Sequence, residues 1–465
     1  MSGETNCRSK GLTQYVKAKG NIYCTQRQVT ILNTESRLDM ETKLRLISKH
    51  IIEERDIKLT SLAHLLNQET LRESFYMLKR GKATGVDEVT FEEYEENLSE
   101  NLEKLVNKMK SGSYYPQPVR RTYINKDDGK KQRPLGIPTI EDKMVQKGIA
   151  RILNAIYEPL FMKFSYGFRP GRSCIDALDK LDKDIMKNPV NHVIDADIKG
   201  FFDNVDHNWL MRMLEEKIVD KNFLKLIEMF LKAGIMEEGK FFDTTEGTPQ
   251  GGVVSPILAN VYLHYVLDLW FEKVLKGQVK GYISMVRYAD DFVIVIQYKS
   301  ETKKVRRMLE DRVEKFNLEL SSTKTRTIEF GKYARKNAER KGKKPDSFDF
   351  LGFTHFCDKS RKGNFKVGRK TKRKKFNQKI KGMNKWLKSQ RSKRSIKDWW
   401  YDLAAKLRGH YEYYGISGNF QGIRKYYFQT LKLTFKWINR RSQKRSMTLK
   451  QFYSYLGNIH YLNLK

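Results

Sequence analysis

The chain has 465 residues, of which 39% are hydrophobic and 31% charged, and its formal net charge at pH 7 is +35. Its four cysteines form no CxxC pair, which argues against a disulfide framework and a zinc site. No apolar run reaches the roughly 18 residues of a membrane helix, and the first residues are unlike a signal peptide, which argues against a membrane protein and a secreted protein. We therefore expect a polyanionic partner and a cytoplasmic location, with association with the nucleoid as an alternative.

The positive charge is concentrated near the C-terminus. Residues 331–465 contain 37 Lys and Arg against 7 Asp and Glu, whereas the first 330 residues contain 53 against 48. The run GRKTKRKKFNQKIKGMNKWLK, residues 368–388, has more positive charge than solubility requires. A run of this kind can be a solvated face, but its density favours nucleic-acid binding.

The N-terminal quarter predicts helices separated by a loop. The first 40 residues show little hydrophobic periodicity, and we expect an arm or loop there. Residues 41–57 predict an amphipathic helix, and helical periodicity resumes over residues 60–79. In KRGKATGVDEVT, residues 79–90, small and turn-forming residues predict a loop.

A basic hairpin and a long helix follow. The stretch PVRRTYINKDDGKKQRPLGIP, residues 118–138, alternates and then turns, with Lys126 before the turn and Arg133 after it. Thr139 then begins a helix, because Asp142 three residues later completes a variant of the capping box.

Two further segments change from one period to another. Residues 192–197 predict a strand that ends at Asp197, and a helix begins near Asp206. After a glycine-rich loop, Ser255 is expected as the N-cap of a long helix and Pro256 as its first residue. Short strands mixed with helices in this order indicate an α+β fold with an antiparallel sheet.

The stretch VRYADDFVIVI, residues 286–296, places Asp290 and Asp291 together at the turn of a predicted hairpin. Two like charges about 4 Å apart repel by roughly 4 kcal/mol at an effective dielectric constant of about 20. A cation would remove this cost, and Asp197 at the end of another strand could supply a third carboxylate. Such oxygen ligands suit Mg²⁺, and two ions in one site catalyse phosphoryl transfer. The alternative is three solvated aspartates in turns.

Seven motifs occur in the order found in reverse transcriptases: RPLGIP, SYGFRPGRS, IDADIKGFFDNVDH, EGTPQGGVVSPILANVYLH, YADD, LSSTKT and FLGF. From about residue 60 to about residue 433 the chain resembles the group II intron-encoded reverse transcriptase/maturase family. The resemblance implies a right-hand polymerase. We expect an N-terminal extension in residues 1–59, fingers and palm in residues 60–355, and a helical basic thumb or maturase (X) domain in residues 356–465.

The resemblance also implies roles for residues of the acidic site. Asp197, Asp290 and Asp291 are the expected catalytic carboxylates and metal ligands, together with the backbone carbonyl of Ile198. Two Mg²⁺ ions are expected as cofactors, with Mn²⁺ as a substitute. Phe202 is expected to act as an aromatic gate that excludes ribonucleotides, and its alternative role is packing in the core.

Further implied positions surround the incoming nucleotide. Lys126 and Arg133 are expected to clamp the triphosphate, although an ordinary basic hairpin is the alternative interpretation. Gln250 and Gly251 are expected to touch the nucleotide, and Lys324 is expected near the leaving pyrophosphate as a proton donor.

The C-terminal part is expected to hold the primer and the RNA. Phe350, Leu351, Gly352 and Phe353 resemble the primer grip. Basic residues of the thumb are expected to contact phosphates, namely Arg369, Lys372, Arg373, Lys374 and Lys375. We expect most thumb aromatics to form its core and a minority to stack on bases.

The function implied by the resemblance is RNA-directed DNA polymerisation with dNTPs from a DNA or RNA primer, together with intron RNA binding in splicing. One alternative is an RNA-binding maturase with little polymerase activity, and another is a domesticated relative in phage defence or DNA repair. No HNH endonuclease pattern follows the thumb, so we expect no DNA cleavage. The sequence specifies no protein partner.

Overall fold

The computed structural model describes residues 39–125, 132–243, 246–248, 251–391, 393, 395–441 and 446–457, and also the backbone of a two-residue strand at 28–29. The strands β1–β13 are Gln28–Val29, Lys58–Leu59, Val119–Asn125, Gln132–Ile137, His192–Asp197, Ile235–Glu237, Lys240–Phe242, Ile283–Tyr288, Asp291–Ile296, Arg326–Glu329, Ser347–Phe350, Phe353–Lys359 and Phe365–Thr371. The helices α1–α16 are Met40–Glu53, Gln68–Tyr76, Phe91–Glu96, Leu98–Lys110, Ile140–Tyr157, Cys174–Lys187, His207–Glu215, Lys221–Leu231, Ser255–Leu263, Lys276–Gln278, Lys299–Glu314, Ala334–Arg340, Arg373–Gln390, Ile396–Tyr414, Phe420–Ile438 and Leu449–Gly457.

The N-terminal helices belong to the main core. Helices α1 and α2 pack on α5, and Ile47, Ile51 and Leu59 are buried in the same cluster as the palm residues. The predicted boundary between residues 59 and 60 therefore does not separate two structural units. The predicted start of α5 is confirmed, because Thr139 accepts a hydrogen bond from the backbone N–H of Asp142.

A small mixed sheet lies beside this helical layer, in the strand order β4-β3-β6-β7. Strands β3 and β4 form the predicted antiparallel hairpin, in which Ile124 pairs with Arg133. The turn of this hairpin, with Lys126, lies outside the described residues. Strand β6 pairs parallel to β3, which the local sequence pattern did not predict.

The palm is an antiparallel sheet in the order β10-β5-β9-β8. Its central strand β9 is buried on both faces: Phe292, Ile294 and Ile296 face the main core, whereas Val293 and Val295 face a second core. This burial accounts for the unbroken apolar run after YADD, because both sides of the strand are covered. The predicted α+β class with an antiparallel sheet is confirmed.

The long helix after the glycine-rich loop begins one residue earlier than expected. Ser255 is the first residue of α9 and Val254 is its N-cap, so Pro256 takes the second position. Two π-helical segments, His264–Asp268 and Phe271–Leu275, connect α9 to α10.

A third sheet, β11-β12-β13, connects the palm to the thumb helices. The predicted boundary between residues 355 and 356 falls inside β12, so the thumb helices begin only at Arg373 with α13. Helices α13–α16 enclose their own core, which includes Trp399, Leu407 and Trp437. Of the described thumb aromatics, those left exposed are Tyr401, Phe420, Phe428 and Tyr453, so the expectation of a mainly structural role is confirmed.

In the part of the chain that the structure describes, no helix combines the length and apolar character needed to span a bilayer.

Candidate active site

The three aspartates of the predicted acidic site lie together at one end of the palm sheet. Asp197 is the last residue of β5 and pairs directly with Asp291, the first residue of β9. Asp290 and Ala289 form the two-residue turn that connects β8 to β9. The antiparallel register therefore brings together carboxylates that are more than 90 residues apart in the chain.

Two of the three aspartates, Asp290 and Asp291, have pKa values raised above the ordinary value, mainly by burial. The pKa of Asp291 is raised to about 7, first because surrounding protein atoms displace water and then because Asp290 and Asp197 carry like charges. The pKa of Asp290 is also raised, mainly by burial and then by Asp197, although Arg133 and Lys324 oppose the shift. The side chain of Asp291 still opens to solvent on the cleft side. This end of the sheet carries an excess of negative charge.

Lys324 partly offsets that charge. Its Nζ donates a hydrogen bond of 2.7 Å to Oδ2 of Asp197. The lysine is placed there because residues 319–321 pair with residues 197–199 beyond the end of β5. The bonds of this pairing use the carbonyl of Asp197 and the N–H of Lys199, so neither uses the carbonyl of Ile198.

The donor set suits a divalent cation in its chemistry. Carboxylate and carbonyl oxygens are the ligands that Mg²⁺ prefers. Burial and neighbouring like charges raise the pKa values of Asp290 and Asp291, and a bound cation would oppose that shift. Among the described residues, no group of three or more side chains forms a ready cage for a metal. In phosphoryl-transfer sites, Mg²⁺ is usually bound by one or two carboxylates together with substrate phosphates, so a complete cage of protein ligands is not required.

Phe202 combines features of both of its predicted roles. It lies in the 3₁₀ helix Phe201–Asp203, directly after the strand of Asp197, and its ring is only half-buried. One side rests on Phe201, with ring centroids 5.3 Å apart, and Phe168 approaches from another side at 6.5 Å. Phe201 is the true core residue of this pair, with 2% exposure.

Of the four residues expected around the nucleotide in the fingers and the glycine-rich loop, the structure describes Arg133 and Gly251. Arg133 is exposed on β4 and lines the cleft that contains Asp197 and Asp291. Gly251 has φ +116°, and a Cβ atom there would lie 2.4 Å from the carbonyl oxygen of Gly136. Close packing against β4 thus requires glycine at this position. Gln250 lies outside the described residues, as does Lys126.

The predicted primer grip is a tight turn between β11 and β12. Leu351 and Gly352 form its tip, with φ values of 47° and 81°, and both line the cleft. Tyr413 of α14 donates a hydrogen bond of 3.0 Å to the carbonyl of Leu351. Phe353 is fully buried against Tyr414. It therefore packs behind the turn and, unlike Leu351 and Gly352, does not line the cleft.

The expectation that Arg369 contacts phosphate is wrong. Its side chain is buried, and it donates hydrogen bonds to the carbonyl of Ser417 and to the carboxylate of Asp179. Lys372 lies 3.2 Å from Asp349 and also lines the cleft, as does Lys375. Arg373 and Lys374 are exposed at the start of α13.

One cleft of about 1330 Å³ runs from Asp197 and Asp291 to the thumb helices, whereas Asp290, Phe202 and Gly251 are not among its lining residues. Several lining residues of the cleft were not expected from the sequence: Asp195, Arg326, Asp349, Gly382, Lys406 and Gly409. Asp195 could have been found from strand periodicity alone, because it precedes Asp197 by two residues and so shares its face. The others come from distant segments, and no local pattern indicates them.

The chain is similar to several known proteins. Residues 124–355 match the family described as reverse transcriptase (RNA-dependent DNA polymerase). Group II intron-encoded protein LtrA of Lactococcus lactis subsp. cremoris is 44% identical over 201 residues, which cover 42% of this chain and 33% of LtrA, so the match spans a third of that relative's length. Protein YkfC of Escherichia coli is 31% identical over 348 residues, which cover 67% of this chain and 87% of YkfC. The structure is also similar to a solved telomerase from Candida albicans in complex with a fragment of telomeric RNA. That match covers 80% of this chain and 62% of the telomerase chain, with 14% sequence identity and a TM-score of 0.46.

Proposed function

Because the chain belongs to the group II intron-encoded reverse transcriptases, we propose that it is an RNA-directed DNA polymerase that extends a primer with dNTPs. The single observation that carries this proposal is the pairing of Asp197 with Asp291, next to Asp290, at the head of a cleft that continues into the basic thumb. A polymerase needs carboxylates that hold cations at the end of a long channel for a polyanion. In this chain Asp197 and Asp291 share one continuous cleft with basic residues of the thumb, which supports the proposal.

We propose that Asp197, Asp290 and Asp291, with the carbonyl of Ile198, would hold two Mg²⁺ ions, which Mn²⁺ could replace. When bound, such ions neutralise charge on the transferring phosphoryl group and lower the pKa of the attacking hydroxyl. The carboxylates would orient that hydroxyl and the α-phosphate in line. Asp197 would have to release Lys324 first, which places the freed ammonium near the leaving pyrophosphate as a proton donor.

The nucleotide would be held by residues on both sides of the acidic site. Arg133 of the fingers would bind the triphosphate through paired N–H donors, with Lys126 as its partner in the same hairpin. Phe202 would press on the sugar, and Gln250 with Gly251 would border the base. The turn of Leu351 and Gly352 would support the 3′ end of the primer.

The family also carries a splicing role, and we propose that this thumb binds intron RNA. The exposed aromatic and basic side chains of α14 and α15 support RNA binding, and the cation–π contact of Arg424 with Phe428 is an example. A purely RNA-binding protein is less well supported, because such a protein would not need three aspartates together at one end of the palm sheet. The test is primer extension by the purified chain on an RNA template with dNTPs. Extension that stops when EDTA removes divalent ions is the expected result, and RNA binding without extension would favour the binding-only role.

Two glycines of the thumb predict where the nucleic acid passes. Gly382 of α13 and Gly409 of α14 line the cleft, and a Cβ atom on either would meet nothing within 4 Å. Glycine inside a helix costs about 1 kcal/mol relative to alanine, and packing within the protein does not require it here. We expect Gly409→Leu to weaken binding of a primer–template duplex about tenfold while the melting temperature stays the same or rises.

The matched control is Gly277→Leu, because Gly277 is a helical glycine with the same open surroundings outside the cleft. Duplex affinity would be measured by fluorescence anisotropy. If Gly409→Leu and the control bind the duplex with equal affinity, the backbone of the nucleic acid does not approach α14 at Gly409.

The basic start of α13 predicts a salt effect. Replacing Lys372, Arg373, Lys374 and Lys375 together by Ala should flatten the slope of log affinity against log salt by roughly 2 to 3. Each lost phosphate contact removes about 0.7 to 0.9, and the range allows for one or two of the four residues making no contact. Unrelated RNA sequences should show the same change, because phosphate contacts carry no sequence information.

Filter binding at several salt concentrations measures this slope. The control removes four basic residues of α11 instead, namely Lys303, Lys304, Arg306 and Arg307, and so loses the same charge away from the cleft. If both variants flatten the slope equally, the effect comes from net charge and the RNA path along α13 is refuted.

A further inference from the structure

A buried arginine lies directly beneath the catalytic turn. Arg287 is in β8, three residues before Asp290, and its side chain has no exposure to solvent. A guanidinium carries five N–H donors, and in Arg287 every one of them has an acceptor. The acceptors are both carboxylate oxygens of Asp268, the amide oxygen of Asn260 at 3.1 Å, the carbonyl of Ala289 at 3.0 Å and Oγ of Ser165 at 2.7 Å.

This set of residues, which we call the Arg287 cluster, joins three segments of the chain. Asn260 and Asp268 come from the long helix that begins with α9, and Ser165 comes from the loop of the SYGFRPGRS motif. Asp268 ends the π-helical segment His264–Asp268. Single π-helical turns are rare, and they are frequent at functional sites.

The cluster controls the backbone of the turn that carries the aspartates. Ala289 has φ 56°, a left-handed conformation that residues other than glycine rarely adopt. Such a conformation persists only when its surroundings enforce it. Arg287 donates to the Ala289 carbonyl, and Gly167 packs so closely that a Cβ there would lie 2.3 Å from the Ala289 nitrogen. Asn260 fixes Gly167 in turn, by donating to its carbonyl at 2.8 Å.

Stability alone is a weak explanation for this arrangement. Removing two charges from water is costly, and apolar residues of similar volume often stabilise a core equally well. What a guanidinium adds is a rigid planar fork with fixed directions for its donors, which a lysine cannot reproduce. The fork here ends on the carbonyl next to Asp290.

We propose that Arg287 is a positioning residue for polymerisation: its cluster sets the orientation of the Asp290–Asp291 turn relative to Asp197. The inference rests on the proposed function, since it concerns the rate of the same reaction. Arg287 does not touch the nucleotide, so it should affect the rate of the chemical step and leave binding of substrates nearly unchanged. A displacement of about 1 Å at reacting groups can cost about 100-fold in rate.

The decisive variant is the double replacement Arg287→Met with Asp268→Leu, which removes both buried charges together. We expect its melting temperature to stay close to that of the wild type, whereas kcat for incorporation of one dNTP falls about 100-fold. KM for the dNTP and Kd for the primed RNA should change less than about threefold. The single variant Arg287→Lys should also have a reduced kcat, because an ammonium has three donors and lacks the planar arrangement of a guanidinium.

The control is Arg151→Met with Glu73→Leu, which makes the same exchange at an ion pair between α5 and α2, away from the cleft. It should keep the wild-type kcat. If the double variant of the cluster does not fold, Ser165→Ala removes a single acceptor, and we expect about a tenfold loss of kcat with KM unchanged.

Different results would contradict the role of Arg287 and the proposed polymerase function. A folded double variant with wild-type kcat, or a Ser165→Ala variant with wild-type kcat, would overturn the role of Arg287 alone. If the wild-type chain extends no primer under any condition, the proposed function fails before the cluster is considered.

Discussion

Asp290→Asn and Asp291→Asn should each reduce DNA synthesis on a primed RNA template by at least about 10³-fold, which is typical for loss of a group that acts on the reacting atoms. An amide keeps the size of the side chain but carries no charge to hold a cation. Affinity for RNA should change little, because the basic thumb supplies most phosphate contacts. Single-turnover extension and filter binding measure the two quantities. Asp311→Asn, at an exposed position on α11, is the matched control and should remain active.

These variants should also be at least as stable as the wild type, which separates lost chemistry from lost folding. The pKa of Asp291 is raised to about 7 in the folded protein, so in the absence of metal its ionised form opposes folding. For a carboxyl group with a raised pKa, stability falls as pH rises from about 4 to about 7. The melting temperature of Asp291→Asn should therefore exceed that of the wild type more at pH 8 than at pH 5. A variant that is inactive and less stable at both pH values would contradict the electrostatic account.

Phe202→Ala should relax the selection of the sugar. The ring stands half-exposed on Phe201, at the position where a ribose 2′-hydroxyl would meet it in the proposed complex. Removing a steric contact of this size changes discrimination by about 10- to 200-fold. We expect the ratio of kcat/KM for rNTP to that for dNTP to rise by that factor, mainly through faster use of rNTP.

Tyr333→Ala truncates an exposed aromatic side chain outside the cleft and serves as the control. Incorporation of matched dNTP and rNTP would be followed on one primed RNA. An unchanged ratio in Phe202→Ala, together with reduced stability, would assign Phe202 to core packing.

Parts of this fold follow from local sequence patterns. The apolar run after YADD predicts a strand buried on both faces, and Thr139 with Asp142 predicts the start of α5. Asp197 could be placed at the end of a strand because the hydrophobic pattern changes there. In each case the neighbouring residues determine the outcome.

Other features depend on partners that are distant in the chain. Arg369 belongs to a basic run that predicts contacts with nucleic-acid phosphates, but β13 turns it inward toward Asp179, which is 190 residues away. Arg287 directly precedes the YADD motif, and nothing in the neighbouring sequence indicates its ion pair with Asp268. The pairing of β6 with β3 likewise joins strands separated by more than 100 residues. Local periodicity carries no information about which distant segment completes such a contact.

The central claim is that this chain copies RNA into DNA, and the most direct test is templated incorporation of a single nucleotide. A primer is annealed to four RNA templates that differ only in the first unpaired base, and each of the four dNTPs is offered separately with Mg²⁺. We expect rapid addition only of the dNTP complementary to the template base, and no addition by Asp290→Asn. Addition that ignores the template base, or no addition by a wild-type chain that binds the primed RNA, would contradict the central claim.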